Sequence, residues 1–125
     1  MPTFGRKSTE CLAQAHPDLQ HLFNEVIKTI DCSVLCGYRG KKEQEAAYRD
    51  GNSKLHFPDS KHNHLPSLAV DVAPYPINWQ NIERFKSFGE FVKKTAEELG
   101  IKIRWGGDFK TWKDYPHYEI ISVGD

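Results

Sequence analysis

Long apolar runs are missing from this chain, and so is an excess of either charge. No stretch approaches the roughly 18 consecutive apolar residues of a membrane span, and the mean hydropathy is −0.64. Lys plus Arg and Asp plus Glu each total 17, so the formal net charge is zero. A dedicated nucleic-acid binder usually carries a basic excess, and no membrane or nucleic-acid partner is expected here. The opening residues, Met1 to Lys7, lack the apolar core of a signal peptide, so the protein is expected to be made in the cytoplasm. Internal repeats, low-complexity tracts and long linkers are missing too. Cysteine is scarce: Cys11, Cys32 and Cys36 make 3, and an odd number without a signal peptide favours free thiols. Cys36 ends the apolar stretch Val34-Leu35-Cys36, and all three are expected to be buried or half-buried thiols. The 125 residues suit one domain, 1–125, large enough to bury a core without disulfide support.

The apolar residues that are present are patterned. Leu19, Leu22, Phe23, Val26, Ile27 and Ile30 follow the spacing of an amphipathic helix, with Pro17 in its first turn. Ser33 to Gly37 predicts a buried strand, and Lys41 to Arg49 a helix ended by Asp50-Gly51. Residues 51 to 67 are polar and rich in turn formers, which predicts a loop. Leu68 to Val72 predicts a strand stopped by Pro74 and Pro76. Ile82, Phe85, Val92, Ala96 and Leu99 mark a long helix over about 81–99, with Gly100 as its stop. Strands are expected over 101–105 and 117–122, separated by a turn at Gly106-Gly107-Asp108 and an aromatic-rich loop. The pattern is α+β: a small, mainly antiparallel sheet packed with helices.

Chemistry concentrates in two segments, Ser60 to Asp71 and Asp114-Tyr115-Pro116-His117. Of the 6 histidines, His16, His21 and His56 sit in polar or helix-start contexts and are expected to be ordinary surface residues. His62 or His64, Asp71 and His117 combine imidazole and carboxylate in the way a catalytic zinc site requires, with a further position left to water. A lone histidine would more simply be a satisfied loop or core residue. Two histidines joined by an aspartate on a strand and by an Asp-x-x-His pair outweigh that reading. Asp114 would be a nearby base outside the ligand set, and Asp71 and His117 on strands would hold a metal rigidly.

These residues, in this order, carry a resemblance. Ser60-x-His62, Ala69-x-Asp71, Trp105-Gly106-Gly107-Asp108 and Asp114-x-x-His117 resemble the VanY-like zinc peptidases, the D-Ala-D-Ala carboxypeptidases and L-Ala-D-Glu endopeptidases of peptidoglycan. Gly37-Tyr38-Arg39, Glu43-Gln44 and Tyr48-x-x-Gly51 resemble the Arg-bearing segment of the same family. The likeness spans about 8–121 and is nearest to single-domain phage endolysins. The commoner family spacing, Asp seven positions after the His, fits His64 to Asp71, whereas Ser-x-His fits His62. His62 is the expected ligand, the extra residues being absorbed by the loop. Ser67 stands where the family more often has Gly.

The resemblance implies a Zn2+ ion on His62, Asp71 and His117, with Asp114 as general base. It implies that Arg39 stabilises an oxyanion or holds a substrate carboxylate. Ser60, Gln44 and Trp105 are expected at the substrate: Ser60 hydrogen-bonding substrate or ligand shell, Gln44 orienting Arg39, and Trp105 walling the cleft with Trp112 and Tyr115. Asp108 reads as a turn residue. The implied substrate is a peptidoglycan stem peptide, cut by a monomer made in the host cytoplasm and acting on the wall after release. Removal of a terminal D-Ala and a non-catalytic zinc-containing wall-binding module are the alternatives. The literal string His62-Asn63-His64 also invites a metal nuclease. In nucleases of that name the three residues are dispersed, and this chain has no Lys/Arg stripe.

Overall fold

A computed structural model describes residues 2–121. Four helices surround one four-stranded antiparallel sheet: α1 (Arg6–Ala13), α2 (Pro17–Val26), β1 (Cys32–Cys36), α3 (Lys41–Arg49), β2 (Ala69–Pro74), α4 (Ile82–Leu99), β3 (Ile103–Trp105) and β4 (His117–Ile120). The strand order is β1-β2-β4-β3. Short 3₁₀ turns occupy Lys61–Asn63 and Gly106–Asp108.

Local chemistry explains the helix ends. His16 caps α2 by accepting from the Asp18 N–H, and Pro17 occupies the first turn, where its missing N–H costs nothing. Helix α2 stops at Val26, short of Ile27 and Ile30, which continue as turns while still packing on the core. Helix α4 starts at Asn81, whose side chain accepts from the Arg84 N–H. It ends at Gly100, where φ of +73° suits a residue without Cβ. Helix α1 was not expected, because its apolar content is low. It packs along β1, and the buried Ser8 hydroxyl accepts the Val34 N–H. Strand β3 begins at Ile103 rather than residue 101, and Ser122 of the expected last strand lies outside the described residues.

The pleat of the sheet positions the site. Val34, Val70, Val72, Tyr118 and Ile120 point into a core shared with Leu19, Leu22 and Phe23 of α2 and Phe88, Val92 and Ala96 of α4. Phe23 and Phe88 meet the Tyr118 ring edge-on at 5.3 and 6.3 Å. Side chains alternate along a strand, so Asp71 lies between Val70 and Val72 on the opposite face, and His117 and Glu119 flank Tyr118 in the same way. Asp71 pairs directly with His117, and Ala69 with Glu119. An irregularity between Val34 and Cys36 brings Cys36 opposite Asp71. The thiols behave as expected: Cys32 is buried, and Cys11 and Cys36 are half-buried and free.

Candidate active site

Strand alternation and the register of β2 against β4 set Asp71 and His117 side by side, and a loop delivers His62. The 3₁₀ turn at Lys61–Asn63 carries a reciprocal cap: the Ser60 hydroxyl accepts the His62 N–H at 3.2 Å, and the Asn63 side chain accepts the Ser60 N–H at 3.0 Å. Asn63 also donates to the Arg39 carbonyl, and the Arg39 N–H donates to the His62 carbonyl at 2.7 Å. The turn is thereby stitched to the end of β1, and His62 is driven inward to 2% exposure while His64 faces solvent.

One ligand atom from each of His62, Asp71 and His117 lies within 4.8 Å of the others. Asp71 Oδ1 is 3.3 Å from His62 Nε2 and 3.5 Å from His117 Nδ1. His62 Nδ1 lies 2.9 Å from the Gly37 carbonyl, which can only accept, so Nδ1 carries a proton and Nε2 is the nitrogen turned toward Asp71. The Cys36 sulfur, at 3.9 Å, is the weaker partner of that same nitrogen. His117 Nε2 lies 2.7 Å from Glu119 Oε1, which turns Nδ1 toward Asp71. His62 Nε2 and Asp71 Oδ1 are buried and find no hydrogen-bond partner among the described residues. Buried polar atoms are normally satisfied, and two orphans facing one another from a histidine and a carboxylate fit a cation between them. Electrostatics agree. Burial alone would lower the His62 pKa, but Asp71 and Cys36 outweigh it and raise it to about 10. Burial would raise Asp71, yet His62 and His117 hold it well below the usual carboxylate range. This corner of the protein attracts positive charge.

Around these three stand the other expected residues. Asp114 Oδ2 is 4.0 Å from His117 Nδ1. Burial and then the negative charge of Asp71 push its carboxyl above the ordinary range. The Asp114 segment reaches the site because Gly106 has no side chain: a Cβ there would lie 2.0 Å from the Asp114 carbonyl oxygen. Arg39 places Nη2 3.6 Å from Asp71 Oδ2 and donates through Nη1 to Gln44 Oε1 at 2.9 Å. These groups border a cavity of about 400 Å³ whose walls include Ser60, Glu119 and Trp112.

Two of the expected substrate contacts are placed elsewhere. Gln44 is fully buried and binds Arg39, Ser53 and the Leu55 carbonyl, so it orients Arg39 and ties down the 51–60 loop rather than meeting substrate. Trp105 is a core residue, 3% exposed, with its indole N–H donated to the Tyr115 carbonyl and its ring pressed against Gly89. It belongs to no cleft wall; a β3 side chain on the helical face has nowhere else to go. Trp112 and Tyr115 do border cavities beside the site, and Ser60 lines the cleft while capping the His62 turn. Sequence reasoning missed Glu119. Its signal was the His117-x-Glu119 spacing, which on a strand puts both side chains on one face. Lys61 Nζ, 3.2 Å from Glu119 Oε2, was missed with it.

Comparisons with known proteins identify the family. A family described as phage L-alanyl-D-glutamate peptidase matches residues 2–122. The L-alanyl-D-glutamate peptidase of Escherichia phage T5 is 33% identical over 122 residues, covering 94% of this chain and 88% of the relative. The peptidoglycan L-alanyl-D-glutamate endopeptidase CwlK of Bacillus subtilis is 33% identical over 109 residues, 75% of this chain and 63% of the relative. The crystal structure of the L-Ala D-Glu endopeptidase ChiX of Serratia marcescens superposes with a TM-score of 0.80 at 30% identity, covering 95% of this chain and 90% of that one. With its fold and nearly its whole length matched, the chain belongs to the phage L-alanyl-D-glutamate peptidase family.

Proposed function

We propose that this protein is a zinc-dependent peptidoglycan endopeptidase that hydrolyses the L-alanyl–D-glutamate bond of the stem peptide. The observation that carries the metal assignment is the pair of orphaned, buried atoms, His62 Nε2 and Asp71 Oδ1, converging with His117. His62 Nε2, Asp71 Oδ1 and His117 Nδ1 would hold the ion, and His64, exposed to solvent, would not. Zinc bound there supplies a Lewis acid and acidifies a water. Asp114, with its raised pKa, takes the proton of the attacking water and returns it to the departing amine of D-Glu. The Arg39 guanidinium, locked by Gln44, faces the site to hold the developing oxyanion or a substrate carboxylate. Gly37 and Glu119 fix the two imidazoles in the tautomers that ligation needs.

The endopeptidase reading is favoured over removal of a terminal D-Ala by the shape of the site. Arg39, Trp112 and Asp114 border two cavities, of about 400 and 570 Å³, which gives room for substrate residues on more than one side of these groups. On this reading the protein acts as a monomer on the cell wall after release. The test is mass spectrometry of purified peptidoglycan incubated with the protein, with and without a zinc chelator. Chelator-sensitive release of peptides with D-Glu at the amino end is expected. Loss of D-Ala alone would make it a carboxypeptidase, and no chelator-sensitive product would refute the reading.

A further inference from the structure

The groove is chemically unequal on its two sides. The side that includes Ser60 is lined by charged groups, Lys54, Asp59, Lys61 and Glu119, of which Lys61 is held by Glu119 at 3.2 Å. The other side, of about 570 Å³, has Lys113 beside Arg39, Asp71 and Asp114, but adds an aromatic and aliphatic wall of Trp79, Ile82, Phe85 and Tyr115. Trp79 is 52% exposed, an uncommon situation for the largest apolar side chain, and Ile82 beside it is 36% exposed. The Trp79 ring does not hang free. It stacks on Phe85 at 5.4 Å with an interplanar angle of 17°, and Phe85 is itself rooted in the core at 2% exposure. One indole face is therefore covered and the other is free for a ligand. The segment that carries it, between β2 and α4, is pinned by Arg84, whose guanidinium donates to the Tyr75 and Pro76 carbonyls, and by the Tyr75 N–H donated to Asp31. A flat apolar face held rigid before binding loses little entropy when it is covered.

The substrate is unequal in the same sense. Beyond the scissile bond, D-Glu and the residue after it bring carboxylates, which suit the exposed Lys54 on the first side. Before it, L-Ala is joined through a lactyl group to an amino-sugar strand, whose rings are uncharged and offer flat C–H faces with polar rims. We propose that Trp79, propped on Phe85 and flanked by Ile82, is a glycan subsite that stacks the amino sugar attached to L-Ala. It sets the direction in which substrate lies across the site. The inference rests on the endopeptidase reading and adds to it the ligand class of a surface outside the catalytic set.

The test compares Trp79→Ala and Trp79→Phe with wild type on two substrates: N-acetylmuramyl-tetrapeptide and the same tetrapeptide without the sugar. Trp79→Ala should lower kcat/KM about tenfold on the sugar-bearing substrate, chiefly through KM, and leave the free peptide within about twofold; Trp79→Phe should restore most of the loss. Inhibition by N-acetylmuramyl-L-alanine, a cleavage product, should weaken in parallel, and inhibition by the D-Glu-bearing product should not change. The inhibition arm reads the subsite even if the free peptide is a poor substrate. Equal losses on both substrates, or no loss on either, would overturn the glycan subsite. Failure of the wild type to cleave either would instead overturn the endopeptidase reading, and the subsite with it.

Discussion

Glu119 touches no substrate atom in this scheme, yet its removal should weaken the metal site by a predictable amount. Its Oε1 is 2.7 Å from His117 Nε2, and its other oxygen is 3.2 Å from Lys61 Nζ, with both the His117 and Glu119 side chains only 11% exposed. Burial alone would raise its pKa, but the His117 bond and Lys61 hold it below the ordinary range, so the carboxylate is charged at neutral pH. A hydrogen bond to a charged group contributes about 1.5–3 kcal/mol. Partners that orient a ligating histidine are generally worth about 10–100-fold in metal affinity, which at about 1.4 kcal/mol per decade is nearly the same figure. Glu119→Ala should therefore bind zinc about 10–100-fold more weakly. Glu119→Gln, which keeps an acceptor near Nε2 but loses the charge, should fall between. Competition with a chromophoric chelator measures the affinity, and thermal melting at saturating zinc checks the fold. A correctly folded Glu119→Ala protein with wild-type affinity would refute the argument that Glu119 sets the His117 tautomer.

Three further outcomes follow from the same geometry. Asp114→Ala should still bind zinc, because Asp114 lies outside the proposed ligand set, while kcat on the stem peptide falls by about 10²–10⁴; stoichiometric metal analysis beside an activity assay checks both halves. Gly89→Ala would place a Cβ 2.4 Å from the Trp105 ring, and chemical denaturation should report a loss of about 1–3 kcal/mol from overpacking. Burial, then the negative charge of Asp31, pushes the Cys32 thiol up to about 12. A folded-state pKa raised above the ordinary value of 9.0 means that the stabilisation is complete below pH 9 and is lost as pH climbs toward 12. Denaturation midpoints should therefore drop more steeply over that window in the wild type than in Cys32→Ala, and equal slopes would count against the burial argument.

By itself the sequence determined the elements whose signals are local. Apolar spacing marks α2 and α4, Pro17 and Gly100 mark their ends, and the order of Ser-x-His, Asp71 and Asp-x-x-His marks the family. Strand periodicity made it legible that Asp71 and His117 would each lie on a rigid strand, and the pairing of β2 with β4 brought them together. Tertiary structure alone decided what depends on distant partners. His62 and His64 are neighbours of identical chemistry, and only the Ser60 cap and the Gly37 carbonyl, far away along the chain, turn the first inward. Gln44 reads as an ordinary helix residue until the Arg39, Ser53 and Leu55 contacts bury it. Trp105 and Trp79 are equally aromatic on paper. The pleat of β3 sends one into the core, and the connection into α4 leaves the other half exposed. A strand's period is short-range physics that composition carries directly, whereas a loop's path and a ring's exposed face are set by contacts that exist only after the chain has closed on itself.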